Sequence, residues 1–143
     1  ETVKKLGWKP DVIHCHGWMT SLMPMYIKDV YKNAPHFADT KVVYSLYDKT
    51  FNKNWNDRLE DKLKFEGFND EIVAAIKSGN CMDLNKAAMQ FSDGVIVNKN
   101  VNGTIEESYL AYEGHKMSFD LDETQPKLVS EFYDRVLEEA LIE

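Results

Sequence analysis

The sequence predicts an α/β fold, a doubly wound parallel sheet of the Rossmann-like type. Three short apolar segments, Asp11–Cys15, Val42–Leu46 and Val95–Val97, are strand candidates, and each is flanked by helical spacing of apolar residues. Strands that alternate with helices favour a parallel sheet with right-handed crossovers. The chain has 143 residues, which is enough for one core. We therefore expect a single Rossmann-like domain over residues 1–143.

The first part of the chain predicts a helix end, a strand and a second helix. Glu1–Gly7 is typical of the last turns of a helix closed by glycine, and Pro10 introduces the first strand. The next helix, Trp18–Tyr31, carries an apolar stripe that we expect to cover the sheet. Pro24 predicts that this helix starts late or is kinked. The stripe comprises Met19, Leu22, Met23, Tyr26, Ile27 and Val30. Its methionines and Met25 are expected to fill the core or an interface.

Four further helices complete the predicted elements. Asp57–Phe65, Asn69–Ser78 and Met82–Phe91 lie between the second and third strands, with glycines separating them. Asn69 is a typical N-cap for the middle one. The last helix, about Gln125–Ile142, carries one apolar face. That face comprises Leu128, Val129, Phe132, Tyr133, Val136, Leu137 and Leu141.

Composition and charge exclude several classes of function. The net charge is −7 and the sequence lacks a basic stripe, so we expect no nucleic-acid partner. No apolar run approaches the roughly 20 residues that span a bilayer, so we expect no membrane partner. Cys15 and Cys81 lie in apolar segments without the spacing of a disulfide framework, which favours reduced thiols and a cytoplasmic protein.

Two histidines follow one another at alternate positions of the first strand. His14 and His16 point to one face of the sheet, whereas Cys15 points to the other. Even with His36 or a carboxylate, the pattern lacks the spacing of a complete metal site. The sequence therefore predicts no metal and no cofactor. We expect one histidine to be hydrogen-bonded in the core and the other to line a cleft.

The segments Lys9–Thr20 and Lys41–Asp48 resemble the bacterial glycogen and starch synthases, retaining glycosyltransferases of the GT-B architecture. The first motif of that family is approximately PDVVHxHDWHT, and this chain has PDVIHCHGWMT. A fainter likeness continues through Lys86–Val97, so that the resemblance covers about residues 1–107. The matching positions of the first motif are Pro10, Asp11, Val12, His14, His16, Trp18 and Thr20.

The resemblance implies a sugar site in which two key residues are replaced. In the family, an aspartate and a tryptophan of the first motif lie beside the transferred glucose, and a histidine after the second strand hydrogen-bonds the sugar. Here Gly17 replaces the aspartate, Met19 a following histidine and Tyr47 the second-strand histidine. Losing one transition-state hydrogen bond costs on the order of a hundredfold in rate. No catalytic position is therefore intact, and the implied substrate-binding residues are His16, Trp18, Tyr47 and Asp48.

We therefore expect a fragment of a transferase from ADP-glucose to α-1,4-glucan that is inactive alone. The resemblance assigns it to the second half of a GT-B N-terminal domain, with the upstream part missing before Glu1. The family's serine-proline pair after the third strand is also absent, since Val97–Asn100 stands there. Glucan or a nucleotide sugar is the expected ligand. A small sheet with an open edge also admits a homo-oligomer.

Alternatives remain open at this stage, including whether the chain is an enzyme. The first is a non-catalytic glucan-binding or regulatory module that uses Trp18, Tyr47 and Trp55. Trp18 is equally explained as a packed anchor at a helix start, and Tyr47 with Asp48 as the beginning of a loop. A different nucleotide-binding protein is disfavoured, because no GxGxxG or GxxxxGK[ST] loop follows a strand.

Overall fold

The computed structural model describes residues 2–47, 58–98, 103–119 and 126–138. Its strands are β1 (Val12–His16), β2 (Lys41–Leu46), β3 (Gly94–Asn98) and β4 (His115–Phe119). Its helices are α1 (Thr2–Leu6), α2 (Met23–Met25), α3 (Leu59–Glu66), α4 (Asp70–Ile76), α5 (Cys81–Gln90), α6 (Thr104–Ala111) and α7 (Pro126–Glu138). All three predicted strands are confirmed, with bounds shifted by one residue at most ends.

The four strands form one parallel sheet in the order β1-β2-β3-β4. Because every strand runs the same way, all carboxyl ends meet at one edge. Helices pack on both faces of this sheet, as the core clusters show. The predicted fold class, an α/β Rossmann-like parallel sheet, is therefore confirmed.

The sequence analysis did not predict β4. In this strand, half-buried His115, Met117 and Phe119 alternate with exposed Lys116 and Ser118. This alternation is the pattern of a strand with one covered face. It was overlooked because the other three strands are short apolar runs, whereas β4 pairs in the described sheet only with β3 and keeps polar residues.

The segment after β1 is helical, but it is not the single amphipathic helix predicted over Trp18–Tyr31. A 3₁₀ turn spans Trp18–Thr20, α2 begins only beside Pro24, and the chain continues as a π-helical turn over Tyr26–Val30. The late start predicted from the proline is confirmed.

The predicted burial of two methionines in this segment is wrong. Met19 is 77% exposed and Met23 is 40% exposed, whereas Met25 is fully buried. The predicted stripe assumes 3.6 residues per turn from Trp18 onward. The 3₁₀ turn has three residues per turn and breaks that phase, so Met19 faces solvent.

The three helices between β2 and β3 are confirmed, and two of them have clear caps. Asn69 accepts a hydrogen bond from the backbone N–H of Ile72 at 2.9 Å, as its N-cap assignment predicts. Asn80 caps α5 in the same way, through the N–H of Asp83 at 2.8 Å. The buried carboxylate of Asp29 accepts from the N–H of Asn69, which ties the start of α4 to the π-helical turn.

Two clusters of buried residues lie against the sheet, one on each face. On one face, Cys15, Tyr44 and Val95 belong to a cluster that extends to α5 and α6. Among the described residues the cysteines are free thiols, and both are buried. No helix of the described ranges is long and apolar enough to cross a membrane.

On the other face, α7 lies against the middle strands. Its Phe132 and Val136 are buried with Val43 and Ile96. Gly94 permits this approach, because a Cβ there would lie 2.9 Å from Val136 Cγ2 and 3.0 Å from the Phe132 ring. The predicted apolar face of the last helix is thus confirmed at its centre. Leu128 is an exception, at 43% exposed, and Leu141 lies outside the described residues.

Candidate functional site

The ends of β1 and β2 bring Gly17 and Tyr47 side by side. His16 is the register partner of Ser45, and the N–H of Gly17 donates to the carbonyl of Ser45 at 2.9 Å. A Cβ placed on Gly17 would lie 3.5 Å from Cδ2 of Tyr47. Gly17 and Tyr47, two of the positions at which the sequence departs from the family pattern, therefore share one surface at the carboxyl edge of the sheet.

Gly17 has a backbone conformation that suits glycine alone. Its φ is 72° and its ψ is 175°, a combination that residues with a Cβ rarely adopt. Its carbonyl accepts from both the N–H and the hydroxyl of Thr20, at 3.1 and 3.0 Å, which starts the 3₁₀ turn. The sharp exit from β1 is thus built on the residue that replaces the family's aspartate.

His16 and Tyr47 form the exposed part of the site. His16 Nδ1 lies 2.9 Å from the Tyr47 hydroxyl, and their rings are nearly parallel with centroids 6.2 Å apart. The His16 side chain is exposed and Tyr47 is half-buried. Together they offer hydrogen-bonding groups and ring faces at the surface.

His14 lies beneath this pair and has both ring nitrogens engaged. Nδ1 lies 2.5 Å from the Tyr133 hydroxyl, and Nε2 lies 2.6 Å from the Ser45 hydroxyl. Its ring stacks on His16 with centroids 3.9 Å apart. Burial, and secondly the neighbouring His16, lower the pKa of His14 from 6.5 to about 4, so its imidazole is neutral at pH 7. His14 is therefore a partly buried residue whose ring packs against the exposed His16.

Two residues of this cluster, Ser45 and Tyr133, are not among the predicted site residues. Ser45 had a detectable signal, because it is the polar residue of β2 that alternation puts on the face of Val43. Tyr133 was assigned to the apolar face of the last helix, but the sequence does not say which sheet face that helix covers. Its hydroxyl can be assigned to the site only when the face of the sheet that α7 covers is known.

Three further residues were predicted to belong to the site or to a glucan-binding surface: Trp18, Asp48 and Trp55. Trp18 is half-buried and begins the 3₁₀ turn directly after Gly17, a position compatible with both of its predicted roles. Asp48 and Trp55 lie outside the described residues. Asn98, at the end of β3, is buried.

The described part of the site offers hydrogen-bonding groups at the surface. No group of three or more histidine, cysteine or acidic side chains that could hold a metal is found in the described ranges. His16 and Tyr47 supply hydrogen bonds to a polar ligand, and the described contacts of the cluster include no carboxylate. Such an arrangement fits a polar ligand rich in hydroxyl groups.

Comparison with known proteins shows what the sequence of this chain is similar to. The profile of the starch synthase catalytic domain matches residues 1–118. Over 140 residues, the chain is 25% identical to a glycogen synthase of Clostridium perfringens, covering 88% of this chain and 29% of that protein. Over 48 residues, it is 46% identical to a glycogen synthase of Pelodictyon phaeoclathratiforme, covering 34% of this chain and 10% of that protein.

A glycogen synthase of Thermotoga petrophila is 29% identical over 95 residues, covering 65% of this chain and 19% of that protein. The chain thus spans less than a third of the length of these curated relatives. No solved structure matches the chain significantly.

Proposed function

The chain belongs to the starch synthase catalytic domain family, and from this membership we propose that it is a glycogen synthase-like domain that transfers no glucose by itself. Its proposed ligands are an α-glucan or a nucleotide sugar, held at the carboxyl edge of the sheet. The proposed substrate-binding residues are His16, Trp18, Tyr47 and Asp48.

The contact between Gly17 and Tyr47 carries this proposal. A Cβ on Gly17 would lie 3.5 Å from the Tyr47 ring, so the two replaced positions form one surface. Transfer of a glucosyl group develops positive charge that a nearby carboxylate stabilises. Glycine supplies no carboxylate, and a phenol with a pKa of roughly 10 does not reproduce imidazole chemistry near neutral pH. Binding can persist where turnover is lost.

The proposal also includes domain organisation and location. We assign residues 1–143 to one Rossmann-like domain that corresponds to the second half of a GT-B N-terminal domain. The short coverage of its relatives supports this assignment, since 29% of the Clostridium perfringens protein is matched. The free and buried thiols of Cys15 and Cys81 support a reducing compartment, the cytoplasm.

The direct test is release of ADP from ADP-glucose in the presence of glycogen. We expect no release above that of the Tyr47→Ala variant, with the Clostridium perfringens glycogen synthase as the positive control. ADP release by the wild-type chain well above the variant would refute the proposed inactivity.

A second candidate function, a non-catalytic glucan-binding module, is favoured by one observation. His16 and Tyr47 hold each other at 2.9 Å while His16 remains exposed, an arrangement that can bind a saccharide without reacting with it. Affinity electrophoresis through gels containing glycogen tests this function. We expect retardation of the wild-type chain that weakens in Tyr47→Ala. Equal mobility at every glycogen concentration would remove the binding function.

A further inference from the structure

We propose that Tyr133 of α7 is a positioning residue of the sugar site. It holds His14 in one tautomer and orientation, and the stacked His16, whose own tautomer is set by Tyr47, presents an N–H to a saccharide oxygen. This inference rests on the proposed function and deepens it. It adds to the site a helix that lies beyond the region matched by the family profile, because that match ends at residue 118 and α7 begins at Pro126.

The first step is the contact between α7 and His14. The Tyr133 hydroxyl lies 2.5 Å from Nδ1 of His14, and the two rings meet edge to face with centroids 5.6 Å apart. Phe132 and Val136, on either side along the helix, are buried against the sheet. Tyr133 is therefore held in place by the packing of its own helix.

The second step is the tautomer of His14. A neutral imidazole has one N–H donor and one acceptor nitrogen. Its two partners are both hydroxyl groups, and the phenol of Tyr133 is the more acidic and hence the better donor. Tyr133 therefore donates to Nδ1 of His14. The proton of the imidazole then resides on Nε2 and is donated to the Ser45 oxygen, 2.6 Å away.

The third step is the stacking of His16 on His14. Their rings stack with centroids 3.9 Å apart and planes 27° apart, so the orientation of one limits that of the other. Tyr47, again a phenol, donates to Nδ1 of His16 across 2.9 Å. This leaves the His16 proton on Nε2. Because His16 is exposed, that N–H is available to a ligand oxygen such as a sugar hydroxyl.

The experiment compares Tyr133→Phe with the wild-type chain. Phenylalanine keeps the ring and its packing but removes the hydroxyl. Tyr112→Phe is the matched control, because the Tyr112 hydroxyl also makes a 2.5 Å hydrogen bond, to the carbonyl of Ser92, before β3 begins. Long-range ¹H–¹⁵N correlation spectra of histidine-labelled protein report the tautomer of each imidazole without any ligand. Affinity electrophoresis in glycogen gels reports binding.

We expect His14 and His16 of the wild-type chain to carry the proton on Nε2. Tyr133→Phe should shift the His14 nitrogen signals towards a mixture of tautomers and weaken glycogen binding about two- to tenfold, the equivalent of one neutral hydrogen bond. Tyr112→Phe should leave the spectra of His14 and His16 and the binding unchanged. Rotation of the released His14 ring would also move the His16 signals.

Unchanged His14 signals in Tyr133→Phe, or a wild-type His14 protonated on Nδ1, would overturn the positioning role. Altered signals with unchanged glycogen binding would overturn its link to the saccharide. If the wild-type chain binds no glycogen, the proposed binding function fails and the saccharide role fails with it. In that case the ligand-free spectra still decide the tautomer assignment by themselves.

Discussion

Gly17 makes the lost carboxylate difficult to restore by a single substitution. Its φ of 72° and ψ of 175° are strained for any residue with a Cβ. We predict that Gly17→Asp lowers the free energy of unfolding by about 1–3 kcal/mol, measured by urea denaturation. Met19→Asp is the matched control, since Met19 is 77% exposed and should tolerate the same side chain within about 0.5 kcal/mol. Equal stability of Gly17→Asp and the wild type would contradict the assigned backbone conformation.

His14 makes the stability of the protein depend on pH. Its pKa is about 4 in the folded chain against 6.5 when unperturbed, so the unfolded chain binds a proton first as the pH falls. This contribution to the free energy of unfolding is complete above the unfolded pKa and decreases as the pH falls from 6.5 towards 4. We predict a loss on the order of 2 kcal/mol over that window.

His14→Gln tests this pH dependence, because an amide does not titrate. Urea denaturation at neutral pH and near pH 4 gives the change in the free energy of unfolding with pH for the wild type and for the variant. The titration of the carboxylates, which both proteins share, cancels when the two changes are subtracted. We expect the variant to be less stable at neutral pH but to lose less stability on acidification. Identical changes with pH would show that His14 titrates normally in the folded chain.

The candidate site illustrates what residue patterns reveal and what they do not. The family resemblance put Gly17 and Tyr47 in one sugar site, and in the structure both follow adjacent parallel strands. Alternation in β1 likewise put His14 and His16 on one face. The hydroxyl of Tyr133 was not predictable, since its partner lies 119 positions away and depends on the docking of a helix.

The packing of α7 on β3 depends on the absence of a side chain at Gly94. We predict that Gly94→Ala destabilises the fold by about 1–3 kcal/mol, because the added methyl group overlaps Val136 and Phe132. The measurement is chemical denaturation. The double variant Gly94→Ala/Val136→Ala should be less destabilised than the sum of the two single variants. We expect this difference, the coupling energy, to be at least about 0.5 kcal/mol. Strictly additive effects would mean that the helix does not contact the strand there.

The helices and strands predicted from a strong local sequence pattern are confirmed. β1, β2 and β3 are apolar runs, and α4 begins at the asparagine that caps it. The prediction of one continuous helix from Trp18 onward was wrong because the backbone at Gly17 starts a 3₁₀ turn. Side-chain periodicity does not reveal such a turn. β4 was missed because its mixed composition has only three half-buried positions.

The two thiols give a test of the whole fold. Cys15 is 3% exposed and Cys81 is 6% exposed, and burial raises the pKa of Cys15 to about 11. Because the thiolate is the reactive form, we predict that neither thiol reacts appreciably with a disulfide reagent in the native protein, whereas both react in denaturant. Rapid modification of one or both thiols without denaturant would show that the described core is open.

The position of α7 in the chain has a consequence for biosynthesis. Val43 and Ile96 lie on strands made well before the helix that covers them, so a nascent chain emerging from the ribosome carries an uncovered hydrophobic surface. That surface is covered only when α7 has been synthesised and packs on it. The helix that orients the histidine pair thus also removes this aggregation-prone surface from solvent.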